Sequence, residues 1–217
     1  MTIDIIELYP GRAIGIERIL QEGKIAYQLL KAYKVELPPS TNNPLILSGG
    51  TPSLLEKELF PYLENVVKYV YDAIDKGVPI LGICLGHQVI AKALGGTIAL
   101  SRNPEYGFQR VVHIENELTR EIASPFLVFQ YHKDEVISLP SNTDIFSSSE
   151  STRIQGFSIK RKKVYGVQYH PEVNLSLAKQ ILENNPHQNQ VGSYSSLFLN
   201  DSDILGDKII KNFLEVL

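Results

Sequence analysis

One cysteine, Cys84, stands between two glycines in Gly82-Ile83-Cys84-Leu85-Gly86, where a short apolar run gives way to a helical pattern. A side chain on so tight a strand-to-helix turn is exposed at the carboxyl edge of a sheet. The residues two before and two after it must be small to avoid collision. The helix that follows aims its N-terminal amides at the same point, which favours a thiolate and a developing oxyanion. The pattern predicts a cysteine nucleophile. A small buried thiol is the alternative, but packing alone does not require glycine on both sides. A dinucleotide-binding reading fares worse: no G-x-G-x-x-G spacing occurs, and the would-be middle glycine is Cys84 itself.

A thiol nucleophile needs a base to take and return its proton, usually a histidine oriented by a carboxylate or amide. The chain has five histidines: His87, His113, His132, His170 and His187. His170 fits the role best. It ends the run Val164-Tyr165-Gly166-Val167-Gln168-Tyr169, and Pro171 keeps it extended. In extended chain residues i and i+2 share a face, so Glu172 can reach the imidazole and set its tautomer. His87 reads as a first-turn helix residue packed beneath the site, and His113 and His187 as surface or strand residues. The lone cysteine lacks a nearby second soft ligand and no His-x-x-x-His pair occurs, so neither metal nor cofactor is expected.

These residues need a sheet to hold them, and apolar runs alternating with helical patterns predict a parallel sheet covered by helices on both faces. Ile3 to Leu8 reads as a first strand, followed by a helix from Ala13 to Leu30. Pro44 to Ser48 is a buried strand running into Gly49-Gly50. Leu59, Leu63, Val66, Val67, Val70, Tyr71 and Ile74 have helical spacing, and Gly77 ends that helix. Val78 to Ile83 is a strand, and a helix runs from after Cys84 to Gly95-Gly96. The second half is richer in β signal, with strands at Val111 to Ile114, Phe126 to Tyr131, Ile145 to Ser148, Ile154 to Ile159 and Val164 to Tyr169. The last two form a hairpin across a solvated basic turn, Lys160-Arg161-Lys162-Lys163. Helices near Leu175 to Leu182 and Ile204 to Val216 close the chain, with a polar surface loop at Asn184 to Asp203 between them.

The 217 residues suit one sizeable α/β domain, residues 1–217, with no repeat or linker. With 21 basic against 24 acidic residues the net charge is -3, so no field is present to hold nucleic acid or an anionic membrane. The scattered tyrosines make no RNA-binding platform. No stretch approaches the ~18 apolar residues of a membrane span. The first residues lack the features of a secretory signal, and a reducing, cytoplasmic setting is expected.

Pro79-Ile80-Leu81-Gly82-Ile83-Cys84-Leu85-Gly86-His87-Gln88, together with Tyr165-Gly166-Val167-Gln168-Tyr169-His170-Pro171-Glu172, resembles the class I (triad) glutamine amidotransferase family. Ser48-Gly49-Gly50 after a strand resembles that family's oxyanion loop. The resemblance covers Asn43 to Val173 in the family's order and spacing. Gln130-Tyr131-His132-Lys133-Asp134 is similar to the Gln-Trp-His-x-Asp segment of free-standing members akin to the glutaminase domain of guanosine monophosphate (GMP) synthase.

The resemblance implies a flavodoxin-like fold, an open, mostly parallel central sheet with helices on both faces and a β-rich second half. It implies Cys84 as nucleophile, His170 as general base and acid, and Glu172 as the orienting carboxylate. Gly49 and Gly50 would form the oxyanion loop, with the amides of Gly50 and Leu85 turned to the oxyanion. Gln88 and the backbone near Tyr131 and His132 would hold the substrate's amino-acid end. This chain differs from the family in having Thr51 before Pro52, where proline usually follows the glycines directly. It also has Lys133 where glycine is common, and its start, Ile3 to Arg18, matches poorly.

The implied reaction hydrolyses glutamine through a γ-glutamyl thioester and delivers ammonia to a synthase, which would be a separate polypeptide. A stand-alone hydrolase or peptidase acting on another γ-glutamyl compound would use the same triad. A non-catalytic relative is disfavoured because all three triad residue types are present.

Overall fold

The computed structural model of this chain describes residues 1–183 and 205–217, so the polar segment expected at Asn184 to Asp203 and His187 within it lie outside the described residues. The first half contains β1 (Thr2–Glu7), α1 (Ile14–Glu22), β2 (Ala26–Lys31), β3 (Leu45–Leu47), α2 (Tyr62–Asp75), β4 (Ile80–Ile83) and α3 (Leu85–Ala93). The second half contains β5 (Thr97–His113), β6 (Phe126–Ser138), β7 (Thr143–Ser148), β8 (Gly156–Ile159), β9 (Val164–Val167), α4 (Leu175–Glu183) and α5 (Gly206–Glu215).

The nine strands among the described residues join one sheet in the order β2-β1-β3-β4-β9-β8-β7-β5-β6. From β2 to β9 the neighbours are parallel, and from β9 to β6 they are antiparallel. The sheet is therefore mixed, and the parallel arrangement expected from the sequence describes its first half.

The inner parallel strands β3, β4 and β9 are buried on both faces, which is why they read as continuous apolar runs. Alternation divides them between two cores. Ile6, Leu45, Leu47, Ile80 and Val164 pack with α2 and α3 on one side. Ile3, Ile5, Ile46, Leu81, Ile83 and Val167 pack with α1 and α5 on the other. Each such side chain contributes about 1.5–3 kcal/mol by leaving water, so the carboxyl ends of β3, β4 and β9 stand on a rigid base.

Three expectations need correction. The helix predicted over Ala13 to Leu30 stops at Glu22; Lys24 turns the chain at φ 54, and Ala26–Lys31 becomes edge strand β2. Ile25, Leu29 and Leu30 sit four and five residues apart and so imitate a helical stripe. Leu59, assigned to the next helix, is exposed and precedes α2, which starts after Pro61. The third correction is the largest: β5 runs for 17 residues and β6 continues to Ser138, forming a long ribbon of which the sequence showed only the far ends. Its inward positions include Glu105, Gln130, His132 and Asp134, and polar side chains facing inward erase the apolar alternation that marks a strand.

The β8–β9 hairpin forms as expected, with its basic turn exposed and Lys162 donating to the carbonyl of Ile74 at 2.6 Å.

Candidate active site

Cys84 leaves β4 and caps the N-terminus of α3 with φ 51 and ψ -103. Such backbone costs a non-glycine residue about 1–3 kcal/mol and persists only where its surroundings enforce it. Here the Cys84 amide donates to the Val167 carbonyl on β9 at 2.8 Å, and the Cys84 carbonyl accepts from the Gln88 amide at 3.1 Å. A Cβ on Gly82 would lie 2.5 Å from the Gly86 carbonyl oxygen, and one on Gly86 would lie 2.7 Å from that of Leu47. Both flanking glycines are therefore required by close backbone approach, as the spacing predicted.

His170 arrives from the end of β9 and is locked before its side chain does anything. Its amide donates to the Phe129 carbonyl at 2.8 Å, and its ring meets the edge of Phe129. Nδ1 lies 2.8 Å from Oε1 of buried Glu172. A carboxylate accepts, so Nδ1 carries a proton and Nε2 is the ring nitrogen left for the Cys84 side chain. Burial alone would lower the pKa of this imidazole. The Glu172 carboxylate and the Cys84 sulfur outweigh burial and raise it to about 10.

The turn carrying Glu172 is clamped by helices that sequence reasoning did not connect to the site. On α1, a Cβ at Gly15 would lie 2.5 Å from the Glu172 carbonyl oxygen; on α5, one at Gly206 would lie 2.6 Å from that of Pro171. Arg18 spans both helices, donating to the Glu172 carbonyl at 3.4 Å and pairing with Asp207 at 3.1 Å.

The loop after β3 closes the opposite side. Ser48 Oγ accepts from the Leu8 amide at 3.0 Å and donates to the Gly49 carbonyl at 2.8 Å, fixing the start of the loop. A Cβ on Gly49 would lie 2.7 Å from His170 Cε1 and 3.4 Å from Cys84 Cβ. One on Gly50 would lie 2.9 Å from Leu85 Cδ2. Gly49, Gly50, Leu85, Cys84 and His170 thus come together, with glycine backbone pressed against the thiol and the imidazole.

Above Cys84 opens a cavity of about 400 Å3, whose walls include Gln88, Tyr131, His132, Arg12, Lys133 and Asp134. The thiol lies 3.8 Å from the Tyr131 carbonyl. Gln88 Nε2 donates to the Asp134 carbonyl at 3.0 Å and to Gln168 Oε1 at 3.1 Å. All three expected contact residues line the cavity, but the His132 ring is tied back to the Asp134 carbonyl at 3.1 Å and to Glu105 Oε2 at 3.0 Å. Sequence reasoning missed Glu105, because no strand was predicted around it. The available signal was a lone acidic residue between Pro104 and Tyr106-Gly107 in a stretch that later alternates.

Two other histidines keep away from the chemistry. His87 is fully buried against Phe157, and burial pushes it down to about 3, so it stays neutral. His113 lies at the end of β5, its ring against Phe126. Among the described residues no group of His, Cys, Asp and Glu could hold a metal ion, and no helix is long and apolar enough to cross a membrane.

The model of the family described as "Glutamine amidotransferase class-I" matches residues 18–188. The chain is 39% identical over 131 residues to one subunit of the glutamine-hydrolysing GMP synthase of Methanococcus aeolicus, an alignment covering 60% of this chain and 64% of that protein. The chain thus spans just under two thirds of that relative's length. A crystal structure of a glutamine amidotransferase from Thermotoga maritima superimposes with a TM-score of 0.85 at 26% identity, covering 100% of this chain and 97% of the other. A Thermoplasma acidophilum protein assigned to the subunits of GMP synthase superimposes with a TM-score of 0.74 at 27% identity, over 100% and 93%. Since the family match spans most of the sequence and contains the elbow and the His-Pro-Glu turn in their expected order, the chain belongs to the class I glutamine amidotransferase family, enzymes of the cysteine-nucleophile amidohydrolase type.

Proposed function

We propose that this chain hydrolyses the side-chain amide of glutamine through a γ-glutamyl thioester on Cys84, giving glutamate and ammonia for a separate acceptor enzyme. The observation that carries the reading is the Cys84–His170–Glu172 relay at the base of the cavity, with His170 holding its second proton up to about pH 10. The Cys84 sulfur attacks the amide carbon, and its negative charge passes to the carbonyl oxygen. The amides of Gly50 and Leu85 receive that oxyanion. His170 Nε2 gives its proton to the nitrogen as the C–N bond breaks and ammonia leaves. A water then attacks the thioester and returns a proton to His170; the C–S bond breaks, freeing glutamate. Glu172 keeps the ring oriented and balances its charge.

The amino-acid end of glutamine carries an ammonium and a carboxylate. Asp134 and the cations Arg12 and Lys133 on the cavity wall suit that pair of charges, together with Gln88 and the Tyr131–His132 backbone. Relatives named as subunits of a glutamine-hydrolysing GMP synthase support glutamine as the substrate and a separate synthase polypeptide as the recipient of ammonia. Residues 1–217 act in this reaction as one catalytic domain, a reading supported by a continuous sheet whose two halves both face the cavity.

The test is release of glutamate and ammonia from glutamine by the isolated protein, beside a panel of γ-glutamyl peptides. Turnover of glutamine, with a single modification at Cys84 by a glutamine-mimicking electrophile, is the expected result. Turnover of a peptide with glutamine left intact would overturn it in favour of a stand-alone γ-glutamyl hydrolase.

A further inference from the structure

We propose that Glu105 and His132 form a buried ion pair that fixes the β6 backbone from Tyr131 to Asp134 as the wall receiving the substrate's amino-acid end, making both of them positioning residues. This rests on the reading of the cavity as a γ-glutamyl site.

Hydrogen-bond donors and acceptors decide the charge state. The two His132 ring nitrogens face the Asp134 carbonyl at 3.1 Å and a Glu105 carboxyl oxygen at 3.0 Å. A carbonyl only accepts. Glu105 also accepts: the Ser149 hydroxyl and the Gln155 amide donate to its two carboxyl oxygens, and its pKa is lowered, burial working upward but the bonds and charge of His132, with the Ser149 hydroxyl, outweighing it. Facing two acceptors, the ring needs a proton on each nitrogen, and it is then an imidazolium. Both side chains are 1% exposed, so charge and countercharge have only each other and their neighbours.

Those neighbours complete the shell around Glu105. Ser149 Oγ donates to Oε1 at 2.7 Å, and Gln155 Nε2 donates to Oε2 at 2.6 Å. The ring meets Asp134 at its main-chain carbonyl, and the other titratable group acting on the ring is His87 on α3, which is neutral. The pairing register of β5 and β6 shifts between Leu100 and Glu105. A bulge of this kind re-aims side chains beside functional sites, and here Glu105 points inward.

The pair acts through backbone. Tyr131, just before the ring, presents its carbonyl 3.8 Å from the Cys84 sulfur. The Asp134 carbonyl, just beyond, is gripped by His132 Nδ1 and by Gln88 Nε2. One short piece of β6 is therefore anchored to β5 by charge and to α3 by an amide, and between the anchors Lys133 and Asp134 line the cavity. Removing one member of a buried pair leaves the other charge uncompensated, and the segment it holds must move to find water.

The test is Glu105→Gln, which keeps volume and an acceptor but removes the charge, with Glu105→Asp as the charge-preserving control. KM for glutamine should rise at least about tenfold in Glu105→Gln while kcat stays within about threefold, the signature of lost binding rather than lost chemistry. Alkylation of Cys84 by iodoacetamide against pH should not change, because the triad is untouched. Glu105→Asp should recover part of the KM. Independently of any variant or substrate, 15N spectra of the histidine-labelled wild-type protein should show His132 protonated on both nitrogens at neutral pH. A neutral His132 there overturns the proposal even if Glu105→Gln does not fold, and so does an unchanged KM in a folded Glu105→Gln. A wild-type protein that leaves glutamine intact sinks the substrate reading instead, and the spectrum still decides the ion pair.

Discussion

On the parallel side of the sheet the reactive groups are placed by backbone, and on the antiparallel side the substrate wall is placed by buried side-chain charge. Cys84 is aimed by a strained turn in which a Cβ added at Gly82 or Gly86 would come within 2.5 or 2.7 Å of backbone oxygen, so no side-chain atom could fit. The Tyr131–Asp134 wall is held through Gln88 and through Glu105 and His132, and the bond between the last two depends on protonation. The first device is sensitive to added atoms and indifferent to mild pH. The second tolerates isosteric change but fails when its charges go.

The largest effect expected on the parallel side is Cys84→Ala. Turnover should fall to background while the urea midpoint moves little, since the elbow contributes a nucleophile and only a small buried side chain. If the alanine variant kept more than a small fraction of wild-type turnover, the nucleophile would have to be sought elsewhere.

Next comes Gly86→Ala, which adds one methyl against the Leu47 backbone. Overpacking of this sort costs about 1–3 kcal/mol. The turn must open to relieve it, so stability measured by urea unfolding and kcat should drop together. A variant with normal kcat would show that the elbow has slack that the contacts deny.

Glu172→Gln should do less. It retains an acceptor for Nδ1 and loses the charge that balances the imidazolium, so kcat should fall by about two orders of magnitude, part of the 10²–10⁴ that general acid–base catalysis supplies. Steady-state kinetics on glutamine, with KM nearly unchanged, is the check.

The smallest effect is on stability against pH, and it separates the two sides most sharply. His170 is raised to about 10, so its stabilising contribution is complete below about 6.5 and is lost as pH rises through 10. Glu105 is lowered, so its contribution is complete above about 4.3 and is lost as pH falls through its lower folded value. Urea midpoints should form a plateau with two falling limbs. His170→Ala should flatten the alkaline limb, and Glu105→Gln should flatten the acid limb. If one variant flattened both, the two regions would not be electrostatically independent.

Much of the parallel half was legible because its determinants are local. A glycine two residues to each side of a cysteine, a histidine before proline and a glutamate two residues on are steric and periodic signals that survive in one dimension. The apolar runs of β3, β4 and β9 are marked because both faces are buried. Edge strand β2 was hidden because a strand buried on one side leaves only half a pattern, and Ile25, Leu29 and Leu30 fit a helix as well. The β5–β6 ribbon was hidden for a different reason. Its core positions hold Glu105, Gln130, His132 and Asp134, and nothing in a linear sequence announces that a polar residue will find its partner in the interior.

By itself the sequence determined the strand-to-helix turn that displays Cys84 and the pairing of His170 with Glu172, since each depends on residues within a few positions of one another. The tertiary structure alone decided that Gly15 of α1 and Gly206 of α5 clamp the Glu172 turn, that Arg18 pairs with Asp207 across those helices, that Gly49 lies against His170, and that a carboxylate from β5 meets an imidazole on β6. Those contacts join residues 27 to 189 positions apart. Side-chain type says which groups can pair; only the closing of the sheet and its helices brings the partners within reach and removes the water that would otherwise compete for them.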